Sequence, residues 1–312
     1  MYLLVIISLF VVFSGQAMAW APATHFCFAE EVLTLLHLLP SSISQVITAF
    51  ASDFLYGTLA ADITLGKAYV DYMYNCHNFD VGFGLLRHAK DESDIAFTYG
   101  YLAHLAADTV SHNYFVPYQN ILHLDAAKFR HAYWEVRLDQ YFGGEIWQKI
   151  NMVVSNARCQ SHDYLLDHAL EDTFFSFKTN RILFSSMLSI QRLKKWQQFV
   201  KKINTVSNKQ FNFDEISEYN SLAVSAVIRL LRDQKQSCVY LVDPTGKKTL
   251  QTAQKIRTQL KTLKKQKKLT QEYHQNVASH FRNEVKTKYF KDYLIDEKEV
   301  FSQTVARWAK MK

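Results

Sequence analysis

Apolar residues recur at helical spacing from Ala23 to Leu39, and Pro40-Ser41-Ser42 stops that run before another helical pattern begins. From Asp53 to Gly84 the pattern breaks. Gly57, Gly66, Gly82 and Gly84 stand among polar and aromatic residues, which predicts an irregular, loop-rich stretch of the kind that displays binding groups. Asp94 is placed to cap a long helix running to about Tyr114, with Pro117 beyond its end. A further helix is predicted over about Asp125 to Phe142, closed by Gly143-Gly144, and several more from Glu145 to about Tyr240. Asp243-Pro244-Thr245-Gly246 is the clearest turn in the chain and marks a module boundary. Between Lys247 and Gln271, Leu250, Ala253, Ile256, Leu260 and Leu263 form an apolar stripe at helical spacing.

Composition supports an all-α fold. The 312 residues include only 9 Gly and 4 Pro, and none of either lies between Glu145 and Asp243. A turn-rich β-sandwich or a Gly-looped nucleotide fold is thereby disfavoured. With 48% hydrophobic residues there is ample apolar surface for a core, which excludes disorder as the main state.

The net charge of +7 conceals a division: residues 1–180 carry 9 basic and 18 acidic residues, whereas residues 181–312 carry 27 and 11. Histidine divides the other way, ten of the 12 lying at or before His168. An acidic, His-rich first half points to cation chemistry, and a basic second half to an anionic partner.

Residues Tyr2 to Phe13 form an apolar run, Ser14-Gly15-Gln16 breaks it, and Ala17-Met18-Ala19 supplies the small residues that a signal peptidase reads. The run is too short for the ~20 residues of a spanning helix. The pattern predicts a signal peptide over 1–19, cleavage before Trp20, and a secreted or periplasmic protein. Such a compartment permits disulfides among Cys27, Cys76, Cys159 and Cys238, with Cys27–Cys76 a candidate pair; none sits in a CxxC spacing.

The chemistry is concentrated on two predicted helices. His104, Asp108 and His112 form HxxxDxxxH, which puts all three on one face of a helix, and His131 and Glu135 repeat the i, i+4 spacing. Two helices packed with these faces together make a five-ligand pocket, as in bundle metal sites. An ion pair on a solvated helix face is the bland reading of any one pair. It loses ground here because Leu102, Ala103, Leu105, Ala106, Ala107 and Val110 surround the stripe, so its polar groups are expected to be buried and to need partners.

Together with Trp20, His25, Asp62 and His77, these residues make an ordered set that resembles that of the secreted bacterial zinc-dependent phospholipases C, in which the mature N-terminal Trp itself ligates zinc. The string from Gly100 to Asn113 is similar to that family's core helix. The resemblance implies a helical domain over 20–242 with three zinc ions in a cleft, followed by a basic helical extension over 243–312. It implies that His77, His104 and Asp108 bind one zinc, with Asp62 a further ligand or the base that orients water. His112, His131 and Glu135 would bind a second, with His123 the alternative to His112. Trp20, through its amino group and carbonyl, and His25 would bind the third, and Asp108 would bridge the first and third. The implied reaction is hydrolysis of the glycerol-side phosphodiester of phospholipids by zinc-activated water, giving diacylglycerol and a phosphorylated head group.

Two other classes fit the same residues. The related zinc-dependent single-strand nucleases use a similar Trp/His/Asp set; the close Trp20 to His25 spacing suits them, whereas Glu135 stands where they prefer Asp. The other class is a non-catalytic, zinc-stabilised protein that works through its basic helix on an anionic membrane. That helix carries nine Lys or Arg between Lys247 and Gln271 and no acid, and its stripe equally suits packing on the main domain. No Gly-rich phosphate loop and no GxSxG elbow is present, which argues against a nucleotide partner and a serine lipase. His37, His88, His162 and His168 match no position of the set and read as surface or core histidines.

Overall fold

The computed structural model describes residues 22–63, 76–125, 144–169 and 213–291, together with 134, 137–139, 179, 182 and 293. Every regular element among them is helical. In chain order these are α1 (Pro22–Thr34), α2 (Ser41–Ala49), α3 (Ala51–Ala60), α4 (Phe79–His88), α5 (Glu92–Val110), a π turn (Ser111–Phe115), α6 (Val116–Leu122), α7 (Gly144–Val154), α8 (Ala157–Gln160), α9 (Asp163–Ala169), α10 (Phe213–Asp233), α11 (Lys247–Lys265) and α12 (Gln271–Tyr289). The helix expected over about 125–142, with His131 and Glu135, falls largely outside the described residues, as do the N-terminal segment and Trp20.

Helix α5 is the axis of the fold. Leu102, Leu105, Ala106, Ala107 and Val110 are all at most 1% exposed, so it is covered on every side rather than along one stripe. Helices α3 and α10 pack on it most extensively, α1 packs on α3, and α11 packs on α6 and the π turn. Its N-cap is Asp91, whose Oδ1 accepts from the Asp94 amide at 3.0 Å. Asp94, expected as the cap, lies inside the first turn, where its carboxylate is taken by the Lys90 amide at 2.9 Å and by His162 at 2.7 Å.

The described parts of the stretch, 53–63 and 76–84, depart from the loop-rich expectation, while Gly66 lies outside the described residues. Gly57 lies within α3, and Gly82 and Gly84 within α4. Gly57 meets Gly100 where α3 crosses α5. A Cβ on Gly57 would lie 2.0 Å from the Phe97 carbonyl oxygen, and one on Gly100 2.0 Å from that of Phe54. The glycines serve close approach of two backbones, not a turn.

The basic segment packs its stripe inward: Ala253 and Leu260 are buried, and most of its lysines face solvent. Arg257, on the same buried side, donates to the carbonyls of Asn120 (2.8 Å), His123 (2.9 Å) and Leu124 (2.8 Å), satisfying acceptors at the C-terminal end of α6. No disulfide joins the four cysteines.

Candidate metal centre

Five elements bring side chains to one buried point. His104 and Asp108 lie one turn apart on α5, and His112 follows on the π turn. A π turn re-aims the side chains that follow it and is often found at functional sites. Asp62 lies in the turn after α3, and His77 directly precedes α4, whose N-cap Asn78 accepts from the Asp80 amide at 2.8 Å. The segment of His77 is tied to α5 by the Tyr101 hydroxyl, which donates to the Cys76 carbonyl. His25 comes from the first turn of α1. The Asp139 carboxylate caps that helix from outside, accepting from the Ala23 amide (3.1 Å), the Thr24 amide (2.9 Å) and the Thr24 hydroxyl (2.7 Å). Burial pushes the Asp139 carboxyl up to about 7 against these donors.

Asp108 is the hub. Its Oδ2 lies 3.0 Å from His77 Nε2, 3.3 Å from His104 Nε2 and 4.0 Å from His112 Nδ1, while its Oδ1 faces His25 Nε2 at 3.3 Å. Asp62 Oδ1 stands 3.5 Å from His77 Nε2 and 3.8 Å from His104 Nε2. The rings of His25 and His104 stack at 3.8 Å. Two sets of three, His25-Asp62-His104 and His77-His104-Asp108, have all their ligand atoms within 4.8 Å of one another.

Electrostatics favour a cation here. Asp108 is 0% exposed, and neither of its oxygens, nor His25 Nε2, has a hydrogen-bond partner despite these close approaches. A buried carboxylate without donors is costly unless a positive charge meets it. Burial opposes ionisation of Asp108, yet His104 and His112 outweigh it and hold the carboxyl well below the usual range. Burial, then the neighbouring His104, drives His25 down to about 4, so at neutral pH its imidazole is neutral, as a metal ligand must be. His104 Nδ1 lies 2.8 Å from the Thr58 carbonyl oxygen, which can only accept; Nδ1 therefore carries a proton, and in the neutral ring the lone pair is on Nε2. That lone pair points at His77 Nε2, 3.2 Å away, in an arrangement that a shared cation suits.

The structure thus brings together His25, Asp62, His77, His104, Asp108 and His112. Trp20, His131 and Glu135 lie outside the described residues. His123, the alternative to His112, is the C-cap of α6 and lays its ring on Trp134 at 4.9 Å. Nothing in the sequence marks the supports, which are the carbonyls of Thr58 and Pro244 and the carboxylate of Asp139.

His162, read as a core or surface histidine, is core and doubly paired. Its Nε2 meets Asp53 Oδ1 at 2.8 Å and its Nδ1 meets Asp94 Oδ1 at 2.7 Å, joining α3, α5 and the start of α9. Burial lowers its pKa, but the two carboxylates outweigh this and raise it.

Residues 24–182 match the family model described as zinc dependent phospholipase C, a span that holds every residue of the cluster. No curated protein and no solved structure matches the chain.

Proposed function

The chain belongs to the zinc dependent phospholipase C family, and we propose that it hydrolyses the glycerol-side phosphodiester of phospholipids, releasing diacylglycerol and a phosphorylated head group. The observation that carries this reading is the Asp108 carboxylate, wholly buried, without a hydrogen-bond donor, and faced by imidazole nitrogens on both oxygens. In this reading His77, His104 and Asp108 would hold one zinc, with Asp62 left as the base beside it. His25 and the Trp20 amino group and carbonyl would hold a second, with Asp108 serving both. His112, His131 and Glu135 would hold the third. Zinc, when bound, supplies Lewis acidity toward water and phosphoryl oxygen.

The chain's own groups supply the rest. Asp62, beside both His77 and His104, orients the attacking water and accepts its proton as the oxygen adds to phosphorus. The phosphorus–oxygen bond to glycerol breaks, and the glycerol oxygen takes up the proton that Asp62 accepted, leaving as the hydroxyl of diacylglycerol. The buried helices around Asp108 keep bulk water from screening these charges. Export, with removal of residues 1–19, and contact of the α11 lysines with an anionic membrane surface belong to the same proposal.

The test is one comparison: purified mature protein with phosphatidylcholine vesicles and with single-stranded DNA, each with and without chelator. Chelator-sensitive release of diacylglycerol is the expected result. Cleavage of DNA alone would assign the nuclease reading that the Trp20 to His25 spacing allows, and zinc without turnover the non-catalytic one.

A further inference from the structure

We infer that the turn Asp243-Pro244-Thr245-Gly246, which opens the C-terminal extension and lies beyond the family match, is a positioning element of the metal centre that fixes the ring and tautomer of His112 through the Pro244 carbonyl. His112 Nδ1 donates to that carbonyl oxygen. A carbonyl only accepts, so Nδ1 carries a proton, and in the neutral ring that a metal needs the lone pair is on Nε2. His112 is 3% exposed, so bulk water does not offer Nδ1 the same acceptor.

The turn is built to hold that carbonyl in place. The Asp243 side chain accepts from the Thr245 amide at 2.9 Å and the Thr245 hydroxyl at 2.8 Å, and the Gly246 amide closes the turn on the Asp243 carbonyl at 3.0 Å. Asn113, next to His112, donates to the same Asp243 carbonyl at 2.8 Å, and the Thr249 hydroxyl fixes Asn113 by donating to its Oδ1 at 2.9 Å. Gly246 has φ +56°, and a Cβ there would lie 2.3 Å from the His112 carbonyl oxygen. Only glycine lets the turn come this close to the π turn.

Thr58 does the same for His104 from within the matched domain. The pairing is the outer-shell contact that orients a metal-ligating histidine and sets which nitrogen is available. Here one of the two acceptors comes from outside the part of the chain that the family model covers.

The inference rests on the reading of His112 as a ligand, and the experiment separates the two. Mature full-length wild type and the variants Gly246→Ala, Thr249→Val, Thr249→Ser and His112→Ala are compared for zinc per chain, for affinity by chelator competition, and for the visible spectrum of the cobalt-substituted protein. Gly246→Ala and Thr249→Val should each weaken one ion by about 10- to 100-fold and change the cobalt spectrum, leaving the other ions at wild-type strength. Thr249→Ser, which keeps the hydroxyl, should restore both readouts. If Gly246→Ala does not fold, Thr249→Val and its serine rescue carry the test. Wild-type affinity for every ion in Thr249→Val, where His112→Ala has lost one, overturns the positioning role alone. Wild-type zinc binding in His112→Ala overturns the ligand reading and the inference with it.

Discussion

Gly57 and Gly100 lie against each other at the crossing of α3 and α5, so close that a Cβ on Gly100 would come within 3.0 Å of the Gly57 Cα. The contact delivers the Thr58 carbonyl, one residue along α3, to Nδ1 of His104, one turn along α5. Packing and the orientation of His104 therefore share a single joint. Gly100→Ala should force the helices apart, at a cost of about 1–3 kcal/mol or more for the overpacked crossing, and weaken zinc binding as the carbonyl withdraws. Gly144→Ala is the control, because a Cβ there meets nothing within 4 Å. Urea unfolding and zinc titration of both variants check this; equal stability of the two would refute the joint.

Asp108→Asn keeps the shape of the hub and removes its charge. Hydrolysis should fall to background and bound zinc should drop, because Asp108 faces His25 through one oxygen and His77 and His104 through the other. His104→Ala should do the same. Metal analysis of purified protein decides, and wild-type zinc content in Asp108→Asn would remove Asp108 from the ligand set.

Trp20 calls for a different comparison. An α-amino group of pKa about 8 gives its lone pair to a metal near neutral pH, whereas the amide nitrogen of an uncleaved chain is a poor ligand. Protein that begins at Trp20 should hold more zinc and turn over faster than protein with an extra Met before it. Matching values, with both N-termini confirmed by mass spectrometry, would leave Trp20 a packed aromatic.

His162 gives a pH signature away from the cluster. Its folded pKa is raised above the unfolded 6.5 by Asp53 and Asp94, so its contribution is fully present below about pH 6.5 and is lost as pH rises through the higher folded value. Breaking such a buried pair costs about 3–5 kcal/mol. The stability difference between wild type and His162→Gln, from denaturant unfolding over a pH series, should be largest in acid and shrink upward. A difference that does not change with pH would mean His162 is not held as imidazolium.

The α11 lysines test the membrane proposal. Replacing Lys261, Lys264, Lys265 and Lys268 by Gln should weaken binding to anionic vesicles by up to about 1 kcal/mol per charge. Lys264 is also paired with Asp125 at 2.7 Å, but in solvent, so little stability should be lost. Turnover of a soluble substrate should hardly change. Equal vesicle binding by both proteins would leave α11 only its packing role.

The candidate stripe of α5 was legible in the sequence because helical periodicity puts His104 and Asp108 one turn apart on a shared face, and their apolar neighbours announced its burial; the π turn that carries His112 was not. The glycines misled, since Gly57 and Gly82 spell a loop locally and a helix crossing only once the partner helix is known. Asp94 misled in the same way: a cap by pattern, it belongs to a histidine 68 residues away. The turn 243–246 was legible as a turn, but nothing in its residues says that it rests on His112.

The acceptors that set the tautomers of His104 and His112 are main-chain carbonyls, those of Thr58 and Pro244. No substitution at 58 or 244 deletes a carbonyl, so these two contacts are sheltered from mutation of the residues that make them in a way that Asp108 is not. In a saturation library, position 244 should tolerate many residues, whereas Gly246, whose lack of a side chain lets that carbonyl approach, should tolerate almost none. The fragile positions of the centre then include residues that touch no metal and carry no functional group.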